Sequence, residues 1–143
     1  MNLTINDNEF KVKVRTSPKE IKKGMMFKTF DETFDGMLFV MDSKEHCFWM
    51  KNCVIPLDII FISDDKITKI HHNCQPSNDE NLKRYCGHGD YIFEVEGGTC
   101  KDLGIRKGDT VSLPSHLKKV NESLEKIKYF IRNLIKEEVT KKS

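Results

Sequence analysis

CFWMKNCVIPLDIIFI, residues 47–62, holds the only tryptophan, one of the four prolines and a lone carboxylate inside the densest apolar run of the chain. Residues 46–51 alternate as a strand does, with Phe48 and Met50 on one face and Cys47, Trp49 and Lys51 on the other. Residues 52–56 interrupt it, because Pro56 has no N–H for a ladder and restricts Ile55 before it. Residues 57–62 are then apolar on both faces except at Asp58. Leu57, Ile59 and Phe61 share one side; Asp58, Ile60 and Ile62 share the other. A short β-branched run of this kind belongs inside a sheet covered on both faces. Asp58 is therefore expected to be at least partly buried, and a buried carboxylate without partners is very costly. The simplest partners are backbone N–H groups across the 52–56 loop and the Lys51 ammonium.

On the N-terminal side of this run, Phe10, Val12 and Val14 alternate with Lys11, Lys13 and Arg15. With residues 3–6 they read as a hairpin turning at Asp7-Asn8. Ser17-Pro18-Lys19-Glu20 opens a short helix: serine caps it, proline takes the first helical position, and glutamate stands three residues after the cap. It ends near Gly24. Met25, Met26 and Phe27 supply an apolar cluster, 29–35 is a loop, and 37–41 is a strand. On the C-terminal side, Asp64-Asp65 turns into a strand over 66–71. Residues 73–89 form a long aperiodic loop, the kind of segment that is mobile or functional. A strand follows over 90–96, then a brief helix with Thr99 as cap and Gly104 as stop, then a last strand within 105–113.

From Ser115 the pattern is helical. Leu117, Val120, Leu124, Ile127, Ile131 and Leu134 recur at alternating spacings of three and four, and Phe130, Ile135 and Val139 widen the stripe. This is an amphipathic helix of about five turns. The expected division is a β domain over 1–114 and a helical extension over 115–143.

A chain of 143 residues has room for one domain with an ordinary core. Net charge is only +2, so composition offers no case for a nucleic-acid partner. The charge is uneven: 16 basic and 18 acidic side chains precede Leu117, 8 and 4 follow from it onward. The lysines of the helix are diluted by its four glutamates, which argues against nucleic acid there too. No apolar run approaches the ~18 residues of a membrane span. The N-terminal MNLTINDNEFKVKV lacks a charged-then-apolar signal pattern, so a cytoplasmic location is expected. Five cysteines, an odd number without a regular framework, read as reduced thiols.

GMMFKTF (24–30), DGMLFVMD (35–42), FWMKNCVIPLDIIFI (48–62), YIFEVEGGT (91–99) and LGIRKGD (103–109) resemble, in order and spacing, the successive blocks of the domain-of-unknown-function 192 family. The resemblance runs from about residue 21 to 111, and its middle block matches at Trp49, Met50, Lys51, Asn52, Pro56, Leu57 and Asp58. It implies a mainly β fold: a compact antiparallel β-sandwich or barrel, jelly-roll-like, with short helices. It implies no activity. Many relatives begin with an export signal that this chain does not show, and the helix after Ser115 lies outside the family's blocks.

Trp49, Lys51, Asn52, Asp58 and Glu94 are the polar or amphipathic groups embedded in the most apolar segments, and they make a candidate pocket for a small polar ligand. The competing reading is that Asp58 only fixes a loop. His71, His72, Cys74, Cys86 and His88 form a second constellation. No metal or other cofactor is expected there, the spacing matching no standard zinc module; the alternatives are a site of His72, Cys74, Cys86 and His88, or a Cys74–Cys86 disulfide. Cys47, Cys53 and Cys100 read as small hydrophobes. Gly97-Gly98 before a short helix reads either as an anion site or as a tight turn. No GxSxG, P-loop or HExxH pattern is present, so no catalytic residue is assigned. The leading expectation is a non-catalytic binding or structural module. Its C-terminal helix would mediate assembly with a protein partner or a second copy, a virus or phage particle being one compatible setting. The second is a ligand-binding protein or small enzyme using the Trp49–Lys51–Asn52–Asp58 pocket.

Overall fold

A computed structural model describes residues 1–142 other than 79 and 81; the side chains of 118–121, 141 and 142 lie outside the description. The element order is β1 (Asn2–Ile5), β2 (Asn8–Arg15), α1 (Pro18–Lys23), β3 (Gly36–Phe48), β4 (Leu57–Ser63), β5 (Lys66–Cys74), β6 (Tyr85–Glu96), α2 (Thr99–Leu103), β7 (Val111–Ser112) and α3 (Ser115–Lys142). The chain falls into two units, Met1–Ser112 and Leu113–Ser143.

The first unit is mainly β. One seven-stranded sheet has the order β5-β4-β6-β3-β2-β1-β7 and curls into a half-barrel. Its edges approach each other: Lys66, at the start of β5, bridges Thr110, and the Val111 N–H donates to the Asp65 carbonyl at 2.8 Å. All pairings are antiparallel except β2 with β3, which runs parallel over Val12–Arg15 and Gly36–Phe39. The all-antiparallel expectation is corrected at that pair, because α1 carries the chain back across the sheet as parallel neighbours require.

β4 and β6 are central, and every β4 residue from Leu57 to Ile62 is buried. That is the outcome of a run apolar on both faces. Leu57, Ile59 and Phe61 join Met25, Phe34, Met37, Phe39, Met50 and Ile92 in one core cluster. Phe93, Leu38, Ile60 and Val95 are buried on the other face with Leu3, Ile5 and Phe10. Turn chemistry sets the hairpins. Asn6 and Asp7 between β1 and β2, and Asp64 and Asp65 between β4 and β5, all have positive φ, the geometry of primed turns whose twist matches the strands they join.

Several expected elements differ in extent. The strand expected over 46–51 is the end of β3, which stops at Phe48; Trp49 to Pro56 is loop, with Asn52 at φ 57°. The loop expected over 73–89 is shorter, because Asn73 and Cys74 belong to β5 and residues 85–89 to β6. Those residues have a partner in the charged end of β3, paired from Lys44–Gly89 to Phe48–Tyr85 beyond a bulge after Val40. The capping box of α1 is present: the Glu20 N–H donates to Ser17 Oγ at 3.3 Å, and the Ser17 hydroxyl to Glu20 Oε1 at 3.0 Å. α2 is capped by Gly98 rather than Thr99, for a reason that lies in Asp58.

In the second unit α3 is a 28-residue helix. Leu117 is buried, whereas Leu124, Ile127, Ile131 and Leu134 are exposed, together with Phe130, Ile135 and Val139; the Val120 side chain lies outside the described residues. No helix among the described residues is long and apolar enough to cross a membrane.

Candidate functional site

Asp58 has no exposed surface, and its carboxylate is enclosed by backbone donors. Oδ1 accepts the Asn73 N–H at 2.8 Å and the Gly98 N–H at 3.1 Å; Oδ2 accepts the Cys100 N–H at 2.9 Å. The β4–β5 register slips between Leu57 and Ile59, and Asn73 takes φ 48°, so this bulge aims its N–H at Asp58. Gly98, at φ 97°, does the same from the turn into α2. Asp58 is thus a structural acceptor, as the competing reading held, but the donors are corrected. They come from β5, the β6–α2 turn and the start of α2 rather than from residues 52–56, and Lys51 lies elsewhere. The same carboxylate occupies the Gly98 and Cys100 N–H groups, and the Pro56 carbonyl takes the Gly97 N–H at 2.9 Å, so the Gly97-Gly98 turn leaves neither of its N–H groups for an anion.

Lys51 stands with Trp49 at a different place, its Nζ 5.4 Å from the ring centroid. Both border a cavity of about 270 Å³ inside the first unit. Phe39, Met25 and Glu94 are its buried floor; Ile21, Met26, Met41, Phe48 and Trp49 are its half-buried walls. Lys22, Lys23, Lys51 and Arg84 are exposed and therefore form the rim. The α1 cap turns the chain at Gly24, which brings Ile21 to Met26 over this end of the sheet, and the Gly24 N–H closes on the Glu20 carbonyl at 2.9 Å.

Glu94 is the chemical centre of the pocket. It lies on β6 between Met37 of β3 and Ile59 of β4, facing the core cluster, and is only 4% exposed. No hydrogen-bond donor or cation among the described residues reaches its carboxyl group. Burial alone pushes its pKa up to about 8. At neutral pH the group is mostly the uncharged acid, able to donate one hydrogen bond and accept others. Cys53 also borders the cavity, and burial pushes its thiol up to about 12, too high for a thiolate nucleophile. His46, on the same wall, bonds the Asp42 carbonyl through Nε2 at 2.6 Å.

Of the five sequence candidates, Trp49, Lys51 and Glu94 share the pocket; Asn52 and Asp58 do not line it. Asn52 joins loops, its N–H donating to Asn78 Oδ1 at 3.0 Å and its carbonyl accepting the Phe27 N–H at 2.8 Å. The lining from α1, and Phe39, Met41 and Arg84, carried no local signal in the sequence; only the fold brings them together.

The His–Cys constellation is not assembled. Cys86 is disulfide-bonded to Cys47, opposite it in the β3–β6 ladder, which corrects both the reduced-thiol expectation and the reading of exposed Cys47 as a small hydrophobe. Cys74 is buried and unbonded, its thiol pushed up to about 12 by burial, while His72 and His88 are exposed. His71 Nε2 meets the Cys86 carbonyl at 2.8 Å. Buried Cys100 behaves as expected of a small hydrophobe, its thiol raised by desolvation and by Asp58.

Residues 1–113 match the sequence pattern of the domain-of-unknown-function 192 family, described as "Uncharacterized ACR". The chain belongs to this family. The match takes in β1 and β2 as well as the 21–111 stretch, and stops where the helical unit begins. A crystal structure of a protein of unknown function from Novosphingobium aromaticivorans is similar at 33% identity and TM-score 0.69, over 78% of this chain and 84% of that one. Another, from Sinorhizobium meliloti and described as a "putative transcription regulator", is similar at 29% identity and TM-score 0.66, over 78% and 89%. No curated protein matches the chain. The family match therefore covers the half-barrel, and α3 lies outside the matched residues.

Proposed function

We propose that this family member is a non-catalytic binding module whose Glu94 pocket takes a small amphipathic anion. The observation that carries the reading is Glu94: a nearly fully buried carboxyl, without a partner among the described residues, bordering an apolar cavity. A carboxyl this strongly desolvated, bordering a cavity instead of a protein donor, calls for an explanation, and a ligand that hydrogen-bonds to it supplies one. The ligand's class follows from the lining. Met and aromatic walls suit an apolar body, the neutral acid suits a hydroxyl or carbonyl at its inner end, and four exposed cations at the rim suit a carboxylate or similar anion at its outer end. A cavity of about 270 Å³ restricts that body to a small one. Cys53 is held as the thiol and His46 is engaged by a backbone carbonyl, so neither supports covalent chemistry. Calorimetric titration with small aromatic and branched carboxylates tests the reading. Binding is expected for the wild type, lost in Glu94→Leu and weakened at least tenfold in Lys51→Ala with Arg84→Ala. Equal affinity in all three proteins would sink it.

A second role is favoured by a separate observation, the apolar stripe of α3, which leaves Leu124, Ile127, Ile131 and Leu134 exposed. A helix with so much apolar surface in water is stabilised by burial against something. The repeated three–four spacing suits a second copy of the same helix, and a homo-oligomer of this kind would suit a subunit of a larger particle, such as that of a virus or phage. Light scattering on Leu124→Asp with Ile131→Asp is expected to show monomers where the wild type is oligomeric. A wild type that is monomeric at high concentration would remove this reading and leave the pocket untouched.

A further inference from the structure

The β3–β6 ribbon carries a second chemical cluster, on the side turned away from the core. Phe48 and Tyr85 pack against the core cluster, so their neighbours Cys47 and Cys86 point to the opposite face. Two rungs along, on the same face, Glu45 pairs with His88. The Cys47 and Cys86 sulfurs and a Glu45 carboxylate oxygen all lie within 4.8 Å of one another, close enough to share a single ion. Glu45, Cys47 and His88 are exposed and Cys86 is half-buried, so a reductant and a metal both have access. Cys53, Cys74 and Cys100 offer no competition. They are unbonded, buried or half-buried, and held as thiols by desolvation, so disulfide exchange is confined to the outer pair.

We propose that Cys47, Cys86 and Glu45 form a redox-gated site for zinc or a zinc-like ion, and that the His88 imidazole, which lies outside that group while the disulfide is closed, turns in as the fourth ligand. A dithiol reductant transfers two electrons and two protons to the disulfide, is itself oxidised to a disulfide, and leaves two cysteine thiols. The metal ion then displaces two protons and binds two thiolates, a carboxylate and the neutral imidazole. The two states exclude each other, because a sulfur in the S–S bond is not a thiolate. In a reducing compartment the thiol form prevails and the metal form follows; in an oxidising one the disulfide holds the ribbon closed. The backbone ladder on either side, from Lys44–Gly89 to Phe48–Tyr85, keeps the ligands in register in both states.

Cobalt(II) is the probe, added to the untagged full chain after phosphine reduction and anaerobic desalting. One equivalent is expected to give a sulfur-to-cobalt charge-transfer band and the intense visible bands of tetrahedral cobalt, which zinc then bleaches. The oxidised chain and the Cys47→Ser, Cys86→Ser double variant should give neither, while Glu45→Gln and His88→Ala should each weaken binding about tenfold or more. Far-ultraviolet circular dichroism of the reduced wild type and of the double variant checks that the fold survives without the disulfide. The proposal is overturned by a reduced wild type that binds no cobalt, by one that unfolds on reduction, or by a double variant that binds cobalt as the reduced wild type does.

Discussion

Asp58 and Glu94 are buried acidic residues of the sheet, one rung apart in the β4–β6 ladder and on opposite faces. Asp58 is ringed by three backbone N–H groups at 2.8–3.1 Å; Glu94 has none among the described residues. The first is a finished structure: the bulge at Asn73 and the turn at Gly98 exist in the form they do because an anion sits between them. The second is unfinished, an acid that burial holds neutral beside a cavity. Equal burial thus separates a residue that serves folding from one available to a ligand. The deciding quantity is how many donors the protein supplies.

The largest effect should come from emptying the Asp58 cage. Asp58→Leu leaves three buried N–H groups without acceptors, at about 1–3 kcal/mol each, a sum comparable with the whole stability of a small domain. Asp58→Asn retains one acceptor oxygen and is expected to lose clearly less, although its amide faces at least one N–H. Urea denaturation of both variants measures the difference. Negligible and equal losses would mean the cage does not hold the anion, and the contrast with Glu94 would collapse.

Glu94 is expected to behave in the opposite sense, and through pH. Its folded pKa of about 8 lies above the ordinary glutamate value of about 4.3, so between these values the folded state keeps a proton that the unfolded state has lost. Stability therefore falls by up to about 1.4 kcal/mol per pH unit as pH rises through that window, and levels off above it. Glu94→Gln should abolish this slope and be the more stable protein at pH 8. The same ionisation places a negative charge at the pocket floor, so an anionic ligand should bind more weakly above pH 8 than at pH 6. A wild-type stability profile flat from pH 5 to 8 would show that water or a cation already reaches the carboxyl group.

Only part of this contrast was legible in the sequence. The apolar run around Asp58 required burial on both faces, and burial required partners, but a structural acceptor and a pocket residue shared with Glu94 both satisfied that requirement. Where its donors lie did not follow. Asn73 and Gly98 are 15 and 40 residues away, and they reach Asp58 through a bulge and a positive φ that no local pattern announces. Trp49, Lys51 and Glu94 stood out as polar or amphipathic residues in apolar segments, and they do share a pocket, whereas Asn52 stood out equally and serves a loop. The Cys47–Cys86 pair, 39 residues apart, was concealed because residues 85–89 lack apolar alternation; charged and small residues form a strand there only because β3 extends to meet them. Helix α3 was the reverse case. Its period is local, so the sequence places it directly, while what covers its apolar stripe does not follow from that period.

The smallest expected effect sharpens the account of the cage itself. Gly98 holds φ 97° while its N–H donates to Asp58, and a Cβ built there would meet no atom within 4 Å. Any loss on Gly98→Ala is therefore backbone strain rather than a clash, about 1–2 kcal/mol for a side chain forced into the left-handed region. Gly98→Asn should lose less, since asparagine tolerates that region better than alanine. Part of the strain is sustained by the bond to Asp58, so Gly98→Ala should cost less in an Asp58→Asn background than in the wild type, an excess a double-mutant cycle resolves when it exceeds about 0.5 kcal/mol. Strict additivity would separate the turn from the carboxylate and leave the φ of Gly98 to be explained by the turn into α2 alone.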